Sequence, residues 1–147
     1  QNARTGWTES WTPLNPEPVV VDASAIVHVL TSAGTHNSAI ITALETRPVY
    51  STEYIHIECI NAFRRMLLSE EITAEIFSAL VSRLLELHIT PVRLGLYAPR
   101  LVQHIRNVSV YDAAYVALAE HLDAPLITTD RKLQKLSTTN ISFITAD

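Results

Sequence analysis

The chain has 147 residues, of which 48% are hydrophobic and 18% charged, which suits one globular domain and excludes a disordered, collagen-like or coiled-coil protein. Its 11 Lys and Arg residues against 15 Asp and Glu residues give a net charge of −4, which excludes binding to nucleic acid through bulk positive charge. The single cysteine, Cys59, can form neither an internal disulfide nor a Cys-rich zinc site, and it favours a reducing, cytoplasmic location.

The N-terminal segment is rich in proline, with Pro13, Pro16 and the neighbouring Pro18. We interpret residues 1–17 as an extended arm or tag remnant and residues 18–147 as the folded domain. No apolar run in the chain approaches the ~18 residues that a membrane span needs, so no membrane partner is expected.

The first strand is predicted at residues 19–21, where three consecutive valines favour a strand buried on both faces of a parallel sheet. A helix at 23–30 follows it, and Gly34 ends that helical stretch. A second helix is predicted at 38–45, with Asn37 as its N-terminal cap.

A second strand at 48–50 leads into the most regular helical pattern of the chain. Ser51 or Thr52 is predicted to cap this helix. The apolar stripe of the helix recurs every 3.6 residues and comprises Ile55, Cys59, Ala62, Phe63 and Met66.

Helices and strands keep alternating in the second half of the chain. A helix at 73–87 is predicted to turn Ile76, Leu80, Leu84 and Leu87 inward. The next strand, at 88–94, ends at Gly95, and Pro91 directs it to a sheet edge. We then predict a short helix through Leu101 and Ile105, a helix at 110–122 capped by Ser109, a strand at 125–128, a helix at 131–136 and a strand at 141–144.

This alternation predicts an α/β fold with a single open parallel sheet of about five strands and helices on both faces. In such sheets the ligand site lies outside the carboxyl ends of the strands, where the strand order reverses. Two acids follow predicted strands at that edge, Asp22 after the first and Asp130 after the fourth.

Two further acids have both a functional and a structural interpretation. Asp112 lies in the first turn of its helix, where a negative charge also stabilises the helix terminus. Glu58 borders the apolar stripe and is expected to be paired, ligating or neutral, because burial of an unpaired carboxylate is costly. The structural alternative for Glu58 is a contact with Arg65 through Asn61.

Four carboxylates with no lysine among them need cations to share one cleft. Hard oxygen ligands suit Mg²⁺ or Mn²⁺, one or two ions, which activate water and offset charge on a phosphodiester transition state. Such ions also let an acidic protein accept a polyanion. Mutual repulsion of the acids predicts a raised pKa for at least one of them.

Other chemistries lack the sequence patterns that they need. Cys59 lies in the apolar stripe and is interpreted as a core residue, and Ser24 is not part of a nucleophile elbow. The three glycines are isolated, and the six histidines show no HExxH pairing.

Four segments of the chain resemble the PIN-domain family, and within it the VapC-type toxins of bacterial and archaeal toxin–antitoxin pairs. The resemblance covers about residues 18–147. The matching segments are Val-Val-Val-Asp22-Ala-Ser24, Glu58-Cys-Ile-Asn61-Ala-Phe-Arg-Arg65, Tyr-Asp112-Ala-Ala-Tyr and Leu-Ile-Thr-Thr-Asp130-Arg-Lys-Leu.

The resemblance implies a Mg²⁺- or Mn²⁺-dependent endoribonuclease on a sheet of strand order 3-2-1-4-5, which forms homodimers and is inhibited by a cognate antitoxin. It assigns the acidic metal site to Asp22, Glu58, Asp112 and Asp130. It also implies supporting roles for Ser24, Asn61 and Thr128 or Thr129. Candidates for binding RNA phosphates are Arg64, Arg65, Arg131 and Lys132, for which a solvated surface position is the alternative.

The sequence departs from the family in two places: the arm at 1–17 has no counterpart, and Asp123 occupies a position where glycine is usual. The departure at Asp123 concerns a helix terminus and not the acidic site. Two other classes of protein remain as alternatives: a non-catalytic binding module on the same fold, and a phosphoacceptor receiver domain. The receiver domain is disfavoured because no acid pair follows the first strand and no aspartate ends the third.

Overall fold

A computed structural model describes residues 16–32 and 37–147 of the chain. The predicted arm at 1–17 therefore lies almost entirely outside the described residues, as does Gly34. Of the arm, Glu17 is described, and Nε of Arg47 donates a hydrogen bond of 2.7 Å to its carbonyl oxygen. The boundary at residue 18 stays a prediction.

The described residues form a five-stranded parallel sheet of order β3-β2-β1-β4-β5, which confirms the predicted architecture and strand order. Pro91 lies on the edge strand, as expected. The strands are β1 (Val19–Val21), β2 (Val49–Thr52), β3 (Thr90–Val92), β4 (Leu126–Ile127) and β5 (Phe143–Ile144).

Helices cover both faces of this sheet and bury two hydrophobic cores. Val19 and Val21 point into the core that the first four helices cover, while Val20 points into the core on the opposite face. The unbroken valine run thus reflects burial on both faces. The described helices are α1 (Ala23–Thr31), α2 (Ser38–Thr46), α3 (Ile55–Leu68), α4 (Ala74–Glu86), α5 (Ala98–Val102), α6 (Val110–Leu122) and α7 (Arg131–Gln134).

Two of the predicted helix caps are wrong. Asn37 precedes α2, but its side chain makes no capping hydrogen bond and instead donates to Oγ of Ser32 at 2.9 Å. Ser51 and Thr52 belong to β2, so α3 begins only at Ile55. The Ser51 hydroxyl is buried and therefore needs a hydrogen-bond partner, and it donates to the Val21 carbonyl oxygen of the neighbouring strand. The Ser109 cap of α6 is confirmed.

Two residues predicted to face inward are exposed instead. The exposed fraction of Ile76 is 48%, because α4 packs against the core through Phe77, Leu80 and Leu84 instead. Ile105 is also 48% exposed, since α5 ends at Val102 and a turn follows it. None of the helices in the described ranges combines the length and apolarity that a membrane-spanning helix requires.

Candidate active site

A cleft of about 870 Å³ contains all four predicted acids in its wall. It opens at the carboxyl ends of β1 and β4, the adjacent strands between which the strand order reverses. The backbone N–H of Asp22 donates to the Ile127 carbonyl oxygen at 3.1 Å and joins the two strand ends. The site therefore lies where the topology of the sheet predicts it.

Asp22 is the most deeply buried acid of the cleft, with 2% of its surface exposed. It caps α1, because its Oδ1 accepts hydrogen bonds from the Ala25 N–H at 2.9 Å and the Ser24 hydroxyl at 2.7 Å. Its Oδ2 accepts a short hydrogen bond from the Thr128 hydroxyl. Both oxygens are thus held in place by donors from two strand ends.

A small hydrogen-bond network extends from Asp22 to the end of β4. The Ser24 hydroxyl accepts from the Thr129 N–H at 3.1 Å, and the Thr128 hydroxyl accepts from the Asp130 N–H at 3.0 Å. Ser24 and Thr128 therefore support the site through their side chains, whereas Thr129 contributes through its backbone.

Glu58 is held from the opposite side of the cleft by a residue that sequence reasoning missed. The buried hydroxyl of Tyr115 donates to Oε1 of Glu58 at 2.8 Å. Within the described ranges, the ion pairs are Arg47–Glu17 and His104–Glu120, so the alternative pairing of Glu58 with Arg65 is wrong.

Tyr115 carried one usable signal in the sequence. It is the polar-tipped residue inside the apolar run at 113–119, three positions after Asp112 and hence on the same face of the helix. The hydroxyl of a buried tyrosine needs a hydrogen-bond partner, and for Tyr115 that partner is the carboxylate of Glu58.

Asp112 and Asp130 both sit at the starts of helices. Asp112 is half-buried in the first turn of α6, and its N–H donates to Oγ of the Ser109 cap at 3.2 Å. Asp130 caps α7, and its Oδ1 accepts from the Lys132 N–H at 2.8 Å. Both carboxylates line the cleft as well, so helix termination and site formation are not exclusive for either of them.

The pKa values of three of the acids are raised, as predicted, but mainly for another reason. Burial raises the pKa of Asp22 to about 6, against the lowering effect of hydrogen bonds from Thr128, Ser24 and Ala25. Burial is also the largest cause of the raised pKa of Glu58 and of Asp112, and the neighbouring carboxylates add to it. Desolvation thus outweighs mutual repulsion in this cleft.

The donor set of the cleft fits a hard divalent cation in its chemistry. Carboxylate and hydroxyl oxygens are the ligands that Mg²⁺ and Mn²⁺ prefer. Across residues 16–32 and 37–147, however, no three His, Cys, Asp or Glu side chains come close enough together to hold one metal ion. The four acids line one cleft, with Asp22, Glu58 and Asp130 each accepting hydrogen bonds from neighbouring donors.

The four cationic candidates occupy different surroundings. Arg65 lies in the wall of the cleft together with Asn61. Arg64, Arg131 and Lys132 are exposed and are not among the residues that line it. Arg65 is therefore the candidate that the structure brings to the acids.

Cys59 is a core residue. It is fully buried, and burial, assisted by the charges of Glu58 and Asp22, raises the pKa of its thiol to about 12. A thiol with such a pKa stays protonated and is a poor nucleophile.

The comparisons with known proteins agree with the fold. Residues 19–138 match the family model of the PIN domain. Ribonuclease VapC1 of Mycobacterium tuberculosis is 35% identical over 118 residues, which are 78% of this chain and 86% of the relative.

Two solved structures share the fold at lower identity. The structure of PAE2754 from Pyrobaculum aerophilum is 22% identical, with a TM-score of 0.61 over 87% of this chain and 83% of that one. VapBC-5 of M. tuberculosis, a member of the VapBC family of toxin–antitoxin systems, is 17% identical, with a TM-score of 0.53 over 88% of this chain and 99% of that one.

Proposed function

The chain belongs to the PIN-domain family, and on that premise we propose that it is an endoribonuclease, the toxin of a VapBC-type toxin–antitoxin pair. It hydrolyses phosphodiester bonds of RNA in the acidic cleft. The observation that carries the proposal is the position of Asp22, Glu58, Asp112 and Asp130 around one cleft at the carboxyl ends of β1 and β4. A non-catalytic binding module has no need for all four carboxylates in that place.

We propose that Asp22, Glu58, Asp112 and Asp130 hold one or two Mg²⁺ or Mn²⁺ ions. When bound, such an ion neutralises charge on the scissile phosphate and lowers the pKa of water. The oxygen ligands of the cleft and the acidic net charge of the chain support this choice of cofactor.

The side chains of the cleft have three tasks in this reaction. Ser24 and Thr128 hold the Asp22 carboxylate in one orientation, and Tyr115 does the same for Glu58. Such hydrogen bonds position a carboxylate without loss of its charge. Arg65, in the wall of the cleft, binds a phosphate of the substrate.

The likeness to VapBC-5, a member of a toxin–antitoxin family, supports an antitoxin as a partner besides RNA. We propose that a cognate antitoxin inhibits the protein and that two copies of the chain form a homodimer. The cytoplasm is the proposed location, in agreement with the free thiol of Cys59. Co-expression with the cognate antitoxin is expected to relieve growth inhibition caused by the protein.

Cleavage of a mixed RNA pool tests the proposed activity. We expect cleavage in Mg²⁺ or Mn²⁺, its loss in EDTA and its return when metal is restored. Glu58→Gln and Asp22→Asn are each expected to abolish cleavage, because a neutral amide is a poor ligand for a hard cation.

The matched control is Glu86→Gln, the same change at an exposed residue at the end of α4. This variant is expected to cut RNA at the wild-type rate. Cleavage that persists in EDTA contradicts the metal mechanism. A folded wild-type protein that cuts no RNA in either metal supports the non-catalytic alternative.

A further inference from the structure

The charge of the cleft makes it a poor binder of RNA by electrostatic attraction. Of the 17 residues that line it, four are carboxylates and one, Arg65, is an arginine or lysine. One or two divalent cations offset the carboxylates but leave little net positive charge for a polyanion. Affinity for RNA therefore needs a source other than ionic contacts.

Two exposed tyrosines in the wall of the same cleft offer such a source. Tyr54 and Tyr111 line the cleft with 47% and 61% of their surface exposed. Both side chains are thus open to a ligand in the cleft, and an aromatic ring offers a flat apolar face for stacking.

Both tyrosines lie close in the chain to residues that form the candidate active site. Tyr54 immediately precedes α3, one helical turn before Glu58, whose N–H donates to the Tyr54 carbonyl oxygen at 3.0 Å. Tyr111 lies one turn before Tyr115 on α6. Since Tyr115 and Glu58 are hydrogen-bonded to each other at 2.8 Å, each exposed tyrosine lies one turn along the chain from one partner of that contact.

We propose that Tyr54 and Tyr111 form a stacking platform for unpaired bases of single-stranded RNA beside the scissile phosphate, an inference that rests on the proposed function. Every nucleobase has a flat π-face, so the platform accepts any base that is free of a duplex. Paired bases are stacked on their neighbours and cannot reach it. The cleft thus selects unpaired RNA and gains affinity without positive charge.

Cleavage kinetics on a short unstructured RNA and on its duplex with a complementary strand test the platform. Tyr54→Leu and Tyr111→Leu are each expected to lower kcat/KM on the single strand by about 5- to 150-fold, the range for loss of one base–aromatic stack. The loss is expected mainly in KM, because the stack is present in both ground state and transition state. Tyr54→Phe and Tyr111→Phe keep the ring and are expected to stay within about twofold of wild type.

The control variant is Leu85→Ala, which alters an exposed apolar residue of α4 outside the cleft. It is expected to leave kcat/KM unchanged. The dependence of KM on salt concentration separates the platform from an ionic contact. Arg65→Ala is expected to reduce the slope of log KM against log salt concentration by about one, because one phosphate contact is lost. The tyrosine variants are expected to leave this slope unchanged.

Three results overturn the platform while the proposed function stands. In the first, the Leu variants cut single-stranded RNA as well as wild type does. In the second, the duplex is cut as fast as the single strand. In the third, the Leu variants lose activity together with a change of oligomeric state in light scattering, which assigns the tyrosines to a contact between copies. Failure of the wild-type protein to cut any RNA instead overturns the proposed function.

Discussion

At the scale of the single residue, Asp22 shows how a buried carboxylate is kept in a folded protein. Its burial raises its pKa to about 6, yet the side chain accepts hydrogen bonds from Ser24, Ala25 and Thr128. Hydrogen bonds to a charged acceptor contribute more than neutral ones and offset part of the desolvation cost. The residue is thus orientated before any ligand binds.

Asp112→Asn distinguishes a ligand from a helix-terminal charge. If Asp112 is a ligand, the variant in EDTA is at least as stable as wild type, because it removes a half-buried charge from beside Asp130. Millimolar Mn²⁺ then stabilises wild type, by ~2.7 kcal/mol at a hundredfold excess over Kd, and the variant much less. Thermal melts of both proteins under both conditions measure this.

The contrary result for Asp112 has a different pattern. A purely helix-terminal role costs the variant roughly 0.5–1 kcal/mol with and without metal, and Mn²⁺ shifts both melting temperatures equally. Asp112 is then not a ligand.

Tyr115→Phe tests whether the phenol positions Glu58. The ring stays in the core, so we expect a loss of only about 1 kcal/mol in the free energy of unfolding. Metal affinity is expected to fall about 10- to 100-fold, as for other residues that orient a ligand. Mn²⁺ titration by calorimetry measures this fall, and an unchanged Kd contradicts the positioning role.

At the scale of the element, α6 links the core to the cleft. Its residues 113–119 are all buried, and four of them are alanines, whose small side chains let the helix lie close to the sheet. Its first turn carries Asp112, and its middle carries Tyr115. One rigid helix therefore fixes two groups of the site relative to the core.

Asp123→Gly tests the C-terminal end of α6. Asp123 adopts φ 49° and ψ 48°, a left-handed conformation that favours glycine because a Cβ crowds the backbone there. The substitution also removes a negative charge from the C-terminal end of the helix dipole. We expect Asp123→Gly to increase the free energy of unfolding, measured in urea, by about 0.5–1 kcal/mol. We expect Asp123→Ala to decrease it, because alanine has neither the backbone freedom of glycine nor a polar side chain. Equal stability of the Gly and Ala variants contradicts this account.

At the scale of the whole molecule, the buried acids make stability depend on pH. Asp22 has a pKa of about 6 when folded and about 3.8 when unfolded, so the folded state binds its proton more tightly. Without metal, wild type is therefore expected to lose stability, relative to Asp22→Asn, as the pH rises from 4 through 6. The free energy of unfolding of wild type, relative to that of Asp22→Asn, is expected to fall by on the order of 3 kcal/mol by pH 7. Urea unfolding in EDTA at pH 4 and pH 7.5 measures it.

Glu86→Gln serves as the control for this measurement, since its carboxylate is exposed. Its urea unfolding is measured in EDTA at the same two pH values. A wild-type protein that gains stability over Asp22→Asn as the pH rises contradicts the desolvation of Asp22.

Much of the fold could be predicted from local patterns. The open parallel sheet and the two-faced burial of β1 followed from the valine run and from the alternation of helices and strands, whereas the strand order followed from the resemblance to the PIN-domain family. The hydrogen bonds of Asn37, Ser51 and Thr52 could not be predicted in this way. A short polar side chain has several possible hydrogen-bond partners, and its tertiary neighbours decide among them.

The sequence by itself placed two acids at the cleft, Asp22 and Asp130, because chain order puts both after parallel strands, whose carboxyl ends share one edge. For Glu58 and Asp112 it left a structural interpretation open. Only the tertiary structure decided their surroundings. It placed Tyr115 beside Glu58, 57 residues away in the chain, and brought Arg65 but not Arg131 to the cleft. Sequence periodicity determines on which face of its own helix a residue lies. Which other side chains that face contacts depends on how the helices pack on the sheet, and only the tertiary structure shows this.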